Sequence, residues 1–321
     1  MTKSLQLFGA IVLAFAACLS GVSARSAERH DVIVGTAGTS GTYYIAAAAI
    51  GKVITEHSDI LDVIAQPTKG SIENINLTSN GDMEFGMSNS DGPYHAYQGT
   101  GMYTKIGKMN IKGCMALYMS AGHMVATKKS GIQNYGDLKG KKICLGPPGQ
   151  TVVEMSKAIL REYGIDPEKD ITPYFLAIDE GMQKLTDGEI DASFFVAGVP
   201  TSGLINAASQ ADLVFVEAAE DKLDAISQKM PYYTKYTIPG GTYRGMGKDA
   251  LTFKIMTELF TNADLDDAIV YDFVKQALDH REEYHDSHVV CREITPETSA
   301  KTIIPLHPGA EKYYREIGVI K

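Results

Sequence analysis

An apolar run, Val32-Ile33-Val34, leads directly into a glycine-punctuated loop, Gly35-Thr36-Ala37-Gly38-Thr39-Ser40-Gly41-Thr42, and then into a segment with helical periodicity, Tyr43 to Glu56. Glycine lets the chain turn tightly after a strand, and the hydroxyls of Thr39, Ser40 and Thr42 fall beside the first-turn N–H groups that a helix leaves unpaired. The helix dipole favours negative charge at that end, so this strand-loop-helix unit is suited to holding an anion. The same residues also suit a plain strand-to-helix turn with a Ser or Thr N-cap.

The loop matches neither common nucleotide signature. A phosphate-cradling P-loop needs Lys after its last glycine, where Thr42 stands, and a dinucleotide fingerprint needs G-x-G-x-x-G, whereas these glycines fall at 35, 38 and 41. A carboxylate or similar small anion is the favoured ligand, with no cofactor expected.

Residues 1–24 read as a secretory signal: Lys3, an apolar stretch from Leu5 to Leu19, and Val22-Ser23-Ala24 as a small-residue cleavage site. The expected location is periplasmic. The apolar stretch is shorter than the roughly 20 residues of a membrane span. Phe15-Ala16-Ala17-Cys18 loosely resembles a lipoprotein cleavage box, but Phe15 fits it poorly, so lipid anchoring at Cys18 is not expected. Removing the segment leaves 297 residues, enough for two domains, and moves the formal net charge from −9 to −10. An acidic chain with scattered Lys and Arg argues against nucleic acid and anionic membrane surfaces, and leaves any anion to be held by local donors. Cys114, Cys144 and Cys291 remain, an odd number; Cys114 and Cys144 lie in apolar, strand-like runs and read as buried thiols.

Two stretches repeat one another. Leu77 to Gly86 and Leu185 to Ser193 each read as a helix end closed by glycine, an acidic-apolar-acidic step and a strand, with Gly81 and Gly188 separated by 107 residues. Upstream, Gly41-Thr42 and Gly149-Gln150-Thr151 each open a helix, their threonines 109 apart. Near-equal offsets predict two α/β lobes of similar construction, with a cleft where loops leave the C-terminal ends of the strands. The cleft would be lined by Thr39, Ser40, Gly41, Thr42 and Tyr43 with Asn89, Ser90 and Asp91 from one lobe, and by Gly149, Gln150 and Thr151 with Val196, Ala197 and Gly198 from the other. Read as a connector, G-[DE]-x-[DE] is also a common way to leave a helix for a strand. The Gly70-Ser71 turn fits the same cleft: it precedes a short helix with Ser71 as expected N-cap and Asn74 on its first turn, and Gly70, Ser71 and Asn74 join the candidate ligand-binding residues. Tyr43, Tyr44, Tyr94 and Tyr97 cluster around the first-lobe loops. Asp264 to Glu283 reads as one long amphipathic helix with Leu265, Ala268, Ile269, Phe273, Ala277 and Leu278 on its apolar side, and a last helix is expected from Pro308 to Ile317.

Together these residues resemble the TAXI group of extracytoplasmic solute-binding proteins, the binding subunits of one class of TRAP transporter. The resemblance spans the mature chain: Gly35 to Tyr44, then Gly70, Ser71 and Asn74, then Asn89-Ser90-Asp91 and Ala96-Tyr97-Gln98-Gly99-Thr100-Gly101, then Asp137 to Lys141, Phe194 to Thr201 and Ile304 to Ala310. It implies a type II periplasmic-binding fold that closes over its ligand, with residues 28–119 plus 247–321 as lobe 1 and 120–246 as lobe 2. It also implies a monomer that delivers a glutamate- or glutamine-like amino acid, a dicarboxylate or an oxoacid to TRAP-type membrane permease subunits. The chain departs from the family at Asn89, where Gln is usual, and over Gln150 to Val152, where the family has S-G-T.

Other classes fit less well. No G-x-S-x-G elbow occurs and no histidine pairs with a marked serine, so an exported hydrolase is not expected. His280, His285 and His288 beside Asp286 match no strong metal-ligand spacing and read as a solvated helix end. A ligand-sensing subunit reporting to a membrane receptor stays open beside transport.

Overall fold

The structure is a computed structural model that describes residues 29–148, 150–230 and 232–321. The signal segment with Cys18, and Gly149, lie outside the described residues. The first half runs β1 (His30–Gly35), α1 (Thr42–His57), β2 (Leu61–Gln66), α2 (Ser71–Asn80), β3 (Phe85–Asn89) and α3 (Asp91–Gln98). After β4 (Ile111–Thr127) the pattern recurs as β5 (Lys142–Cys144), α4 (Thr151–Glu162), β6 (Thr172–Tyr174), α5 (Ile178–Thr186), β7 (Ala192–Ala197) and α6 (Ser202–Gln210). Then follow β8 (Leu213–Phe215), α7 (Glu220–Lys229), β9 (Thr234–Ile238), β10 (Ala250–Asn262), α8 (Asp267–Asp279), α9 (Pro296–Ser299) and α10 (Pro308–Glu316).

The repeat read from glycine spacing is structural. One sheet carries the order β2-β1-β3-β10-β4-β7-β5-β6, so β2-β1-β3 and β6-β5-β7 are matching parallel triplets. Each triplet meets a long antiparallel strand, β3 against β10 and β7 against β4, and those two strands pair with each other. Both cross from one core to the other. Cys114, Met115, Leu117 and Tyr118 of β4 pack with Val34, Phe85 and Leu259, whereas Met124 and Ala126 pack with Ile143, Phe194 and Ile255. The result is a bilobal mixed α/β fold with helices on the sheet.

Local signals explain most element ends. α1 buries Tyr43, Ala46, Ala47, Ile50, Val53 and Ile54, a helical stripe that packs on the first core. Gly81 closes α2 in the left-handed region, and Gly188 takes the same conformation just after α5. Cys114, Cys144 and Cys291 are buried free thiols. Two expectations are corrected. Ser71 does not cap α2: Gly70 stands at the cap, held at φ 101 where only glycine is unstrained, and its N–H is taken by the Thr68 hydroxyl at 2.9 Å. The stretch 264–283 is not one helix, because Asp266 starts α8 late by accepting the Ala268 N–H at 2.7 Å and the helix stops before His280. Tyr284 then folds back to donate to the Ala277 carbonyl at 2.8 Å, and Ala268 is exposed.

Glu258 on β10 is buried, with only the Ile303 N–H at 3.0 and 3.1 Å from its oxygens. Burial pushes its carboxyl up to about 8 from an ordinary 4.5. The folded chain therefore holds this proton where the unfolded chain has lost it, and stability falls as pH rises through that window, then levels off. Asp91 and His123 titrate below pH about 6.5, so thermal melts between pH 6.5 and 8 should show a decline, on the order of 1–2 kcal/mol, that Glu258→Gln removes. Parallel declines in both proteins would show that Glu258 is ionised in the fold.

Candidate functional site

The loops after β1, β2, β5 and β6 and the ends of β3 and β7 meet at one cavity of about 380 Å³ between the two halves. Gly38, Ser40, Gly41, Thr42, Tyr43 and Asn89 line it from the first half. Gln150, Val196 and Ala197 line it from the second. Three helices open on it, with Gly41 as the N-cap of α1, Gln150 that of α4 and Ala177 that of α5, and no cap side chain occupies their first-turn N–H groups; α5 brings Asp179 and Glu180 in its own first turn.

Asn89 is the most informative lining residue. It is 5% exposed, and its Oδ1 accepts from the Tyr43 hydroxyl at 2.8 Å. Burial pushes the Tyr43 phenol well up, so it stays a donor. The amide is thereby oriented, and its Nδ2 has no hydrogen-bond partner among the described residues. A donor held in a cavity wall without a protein partner is free to meet an acceptor on whatever fills the cavity.

Several expected site residues join the two halves instead of lining the cavity. Thr42 does both: it lines the cavity, and its Oγ1 accepts the Gly198 N–H at 2.9 Å across the gap. Ser202 donates to the Ser40 carbonyl at 2.8 Å on the same side. On the other side, Asp91 accepts from Thr151 at 3.1 Å and from Tyr233 at 2.7 Å, and His95 meets the Tyr232 hydroxyl at 2.9 Å. Burial raises the Asp91 carboxyl to about 6 despite both hydroxyls, so separating the halves would let it ionise more easily. Gly70 lies under Gln150, where a Cβ would fall 2.4 Å from Nε2.

Four more positions have other places. Thr39 is exposed and outside the lining; Ser90 and Ser71 are buried away from it. Asn74 is fully buried, its Nδ2 donating to the Gly35, Thr36 and Met87 carbonyls and its Oδ1 accepting from Thr68. With every polar atom satisfied it ties β1 to β3 and offers nothing to a ligand. The lining also holds Lys69, Phe175 from the β6–α5 connection, and Ile178, Asp179 and Glu180 from the first turn of α5, none of which sequence reasoning selected. A signal existed: α5 opens at Ile178, 107 residues after α2 opens at Ser71, so the repeat spacing carries the Gly70-Ser71 turn onto this one.

His285, Asp286 and His288, read from the sequence as a solvated helix end, each have local partners. His285 pairs with Glu282 at 3.3 Å, Asp286 with Arg292 at 2.6 Å, and His288 caps its own turn through Val290. A larger hollow of about 640 Å³ opens near Lys128, Phe215 and Lys248, away from these helix starts.

The chain matches the profile of the NMT1-like family over residues 34–318 and belongs to that family. Its fold is similar to PhnD1 from Prochlorococcus marinus in complex with methylphosphonate, at TM-score 0.52 and 12% identity over 90% of this chain and 99% of that one. It is also similar, at TM-score 0.51 and 14% identity over 88% and 99%, to a chain from work on glutathione import via GshT and the cystine ABC importer TcyBC of Streptococcus mutans. A histidine kinase sensor domain with similarity to periplasmic binding proteins matches at TM-score 0.50 and 13% identity over 84% and 98%. At these identities the likeness is one of fold, that of the bilobal periplasmic binding proteins.

The contact at Gly198 is a close point of approach between the halves that leaves no room for a side chain. A Cβ there would lie 2.8 Å from Thr42 Cγ2 and 2.8 Å from Val290 Cγ1, both on the opposite side. Gly198→Ala should therefore hold the halves apart and raise the radius of gyration in small-angle scattering, with little change in melting temperature. A scattering curve identical to that of the unaltered protein would show that this contact does not set the approach.

Proposed function

We propose that this member of the NMT1-like family is an extracytoplasmic solute-binding protein that captures a small carboxylate between its halves and delivers it to TRAP-type membrane permease subunits. The observation that carries the ligand class is the Asn89 amide: an oriented donor in the cavity wall, without a partner among the described residues, beside the open first turn of α1. Neutral donors at a helix start bind an anion without burying an unpaired positive charge. Among the described lining residues Lys69 is the only cation, and it is exposed, so it adds attraction at the mouth. The permease class is supported by the ordered motif series from Gly35-Thr36 to Pro308-Gly309-Ala310. In this reading residues 28–119 with 247–321 form one lobe and 120–246 the other. Ligand contacting both lobes favours the closed arrangement, and closure reports occupancy to the partner. The same closure would serve a sensory chain, and a histidine kinase sensor domain shares this fold.

Amino acids, dicarboxylates, oxoacids and methylphosphonate form the screen. A true ligand at about 100 times its dissociation constant adds roughly 2.7 kcal/mol, a shift of a few degrees for a chain this size. Asn89→Asp keeps an oxygen for Tyr43 but removes the donor and adds a negative charge, so carboxylate affinity should fall at least tenfold, about 1.4 kcal/mol. A midpoint moved only by sugars or nucleotides, or an Asn89→Asp protein that binds carboxylate equally well, would overturn the reading.

A further inference from the structure

We propose a transition-metal site at the surface of the first half, formed by His57, His280 and Glu283, far from the ligand cleft. The three offer ligand atoms that lie within 4.8 Å of one another, the one such group among the described residues. His57 Nε2 is 2.9 Å and His280 Nδ1 3.2 Å from the same oxygen, Glu283 Oε1. Donors bound at 2.0–2.2 Å to one tetrahedral ion are separated by about 3.2–3.6 Å, so both nitrogen-to-oxygen separations are already near what coordination needs.

The surroundings also favour a cation. α1 ends at His57 and α8 ends at Asp279, so two helices present their C-terminal carbonyl ends to the group. The neighbouring Arg281 is turned away, donating to the Leu278 carbonyl and lying 3.7 Å from Glu282. The side chains are about a third to a half exposed, so an ion can enter and the rings can adjust. Adjustment is required, since the two imidazoles are stacked at 3.5 Å with planes 8° apart. An ion cannot lie in both ring planes until one ring turns. Two imidazoles and one carboxylate suit zinc or copper(II) and not magnesium or calcium, which prefer oxygen ligands. Three protein ligands leave a position for water or an exogenous donor.

The site clamps the end of α1 to the segment after α8. α1 is about 24 Å long, which separates the clamp from the cleft at the other end of the helix. Metal and carboxylate should therefore bind independently. In tag-free protein, calorimetry with zinc should show one site per chain, and cobalt(II) should give the visible absorption of a low-coordinate nitrogen-oxygen site. Magnesium should bind neither measurably nor competitively. His57→Ala and His280→Ala should each weaken zinc by more than about tenfold, the lower end for losing even an outer-shell partner, whereas His285→Ala should leave it unchanged. The His57–Glu283 pair would cost stability on mutation without any metal, so the deciding readout is the zinc affinity of each variant. Zinc binding that survives His57→Ala, or no binding to the unaltered chain, would overturn the site.

Discussion

The antiparallel pairing of β4 with β10 is the constraint on which the molecule depends. Both strands run through the centre of the sheet and each contributes to the core on either side, β4 changing core between Tyr118 and Ala121 and β10 between Ile255 and Leu259. Each parallel triplet docks on one member of this pair. The two halves are thus connected by continuous hydrogen-bonded strands instead of loose linkers. Motion between them must be absorbed by bending these strands, and the register shifts in their pairing at Thr257/Glu258 and Leu259/Phe260 lie at that crossing.

With the halves held this way, the strand ends face each other and the polar contacts divide into two kinds. Thr42 with Gly198, Ser40 with Ser202, and Asp91 with Thr151 and Tyr233 satisfy one half with the other. Among the described residues, Asn89 Nδ2 and the open helix starts find no side-chain partner in either half. The first kind sets how closely the halves approach, and the second is left for a ligand. An anion held by amides and helix ends carries its charge into the cavity without a buried arginine as counterpart, which suits an acidic chain of formal charge −9.

Much of this was legible in the sequence because it is local. Glycine spacing revealed the strand-loop-helix unit and, through its recurrence at 107–109 residues, the doubled architecture; apolar context identified the buried cysteines. What sequence reasoning misassigned depends on partners distant in the chain. Asn74 looked like a ligand contact, yet it saturates itself on carbonyls of β1 and β3. Asp91, Thr151 and Gly198 share the loops of the cleft residues but hydrogen-bond to the opposite half, a distinction set by the direction of side chains and of the Gly198 N–H and not by residue type. Lys69, Phe175, Asp179 and Glu180 went unselected because no motif marks them, although extending the repeat from Ser71 to Ile178 locates the loop that brings three of them. His57 and His280 are joined only by the packing of α1 against α8.

The central claim is that the cavity between the halves holds a small anion through neutral donors. Native mass spectrometry of the purified protein, followed by denaturation and identification of what is released, tests it most directly. The account predicts one small organic carboxylate per chain, lost when Asn89 is changed to Asp. A neutral sugar or a nucleotide released in its place, at one per chain, would contradict it.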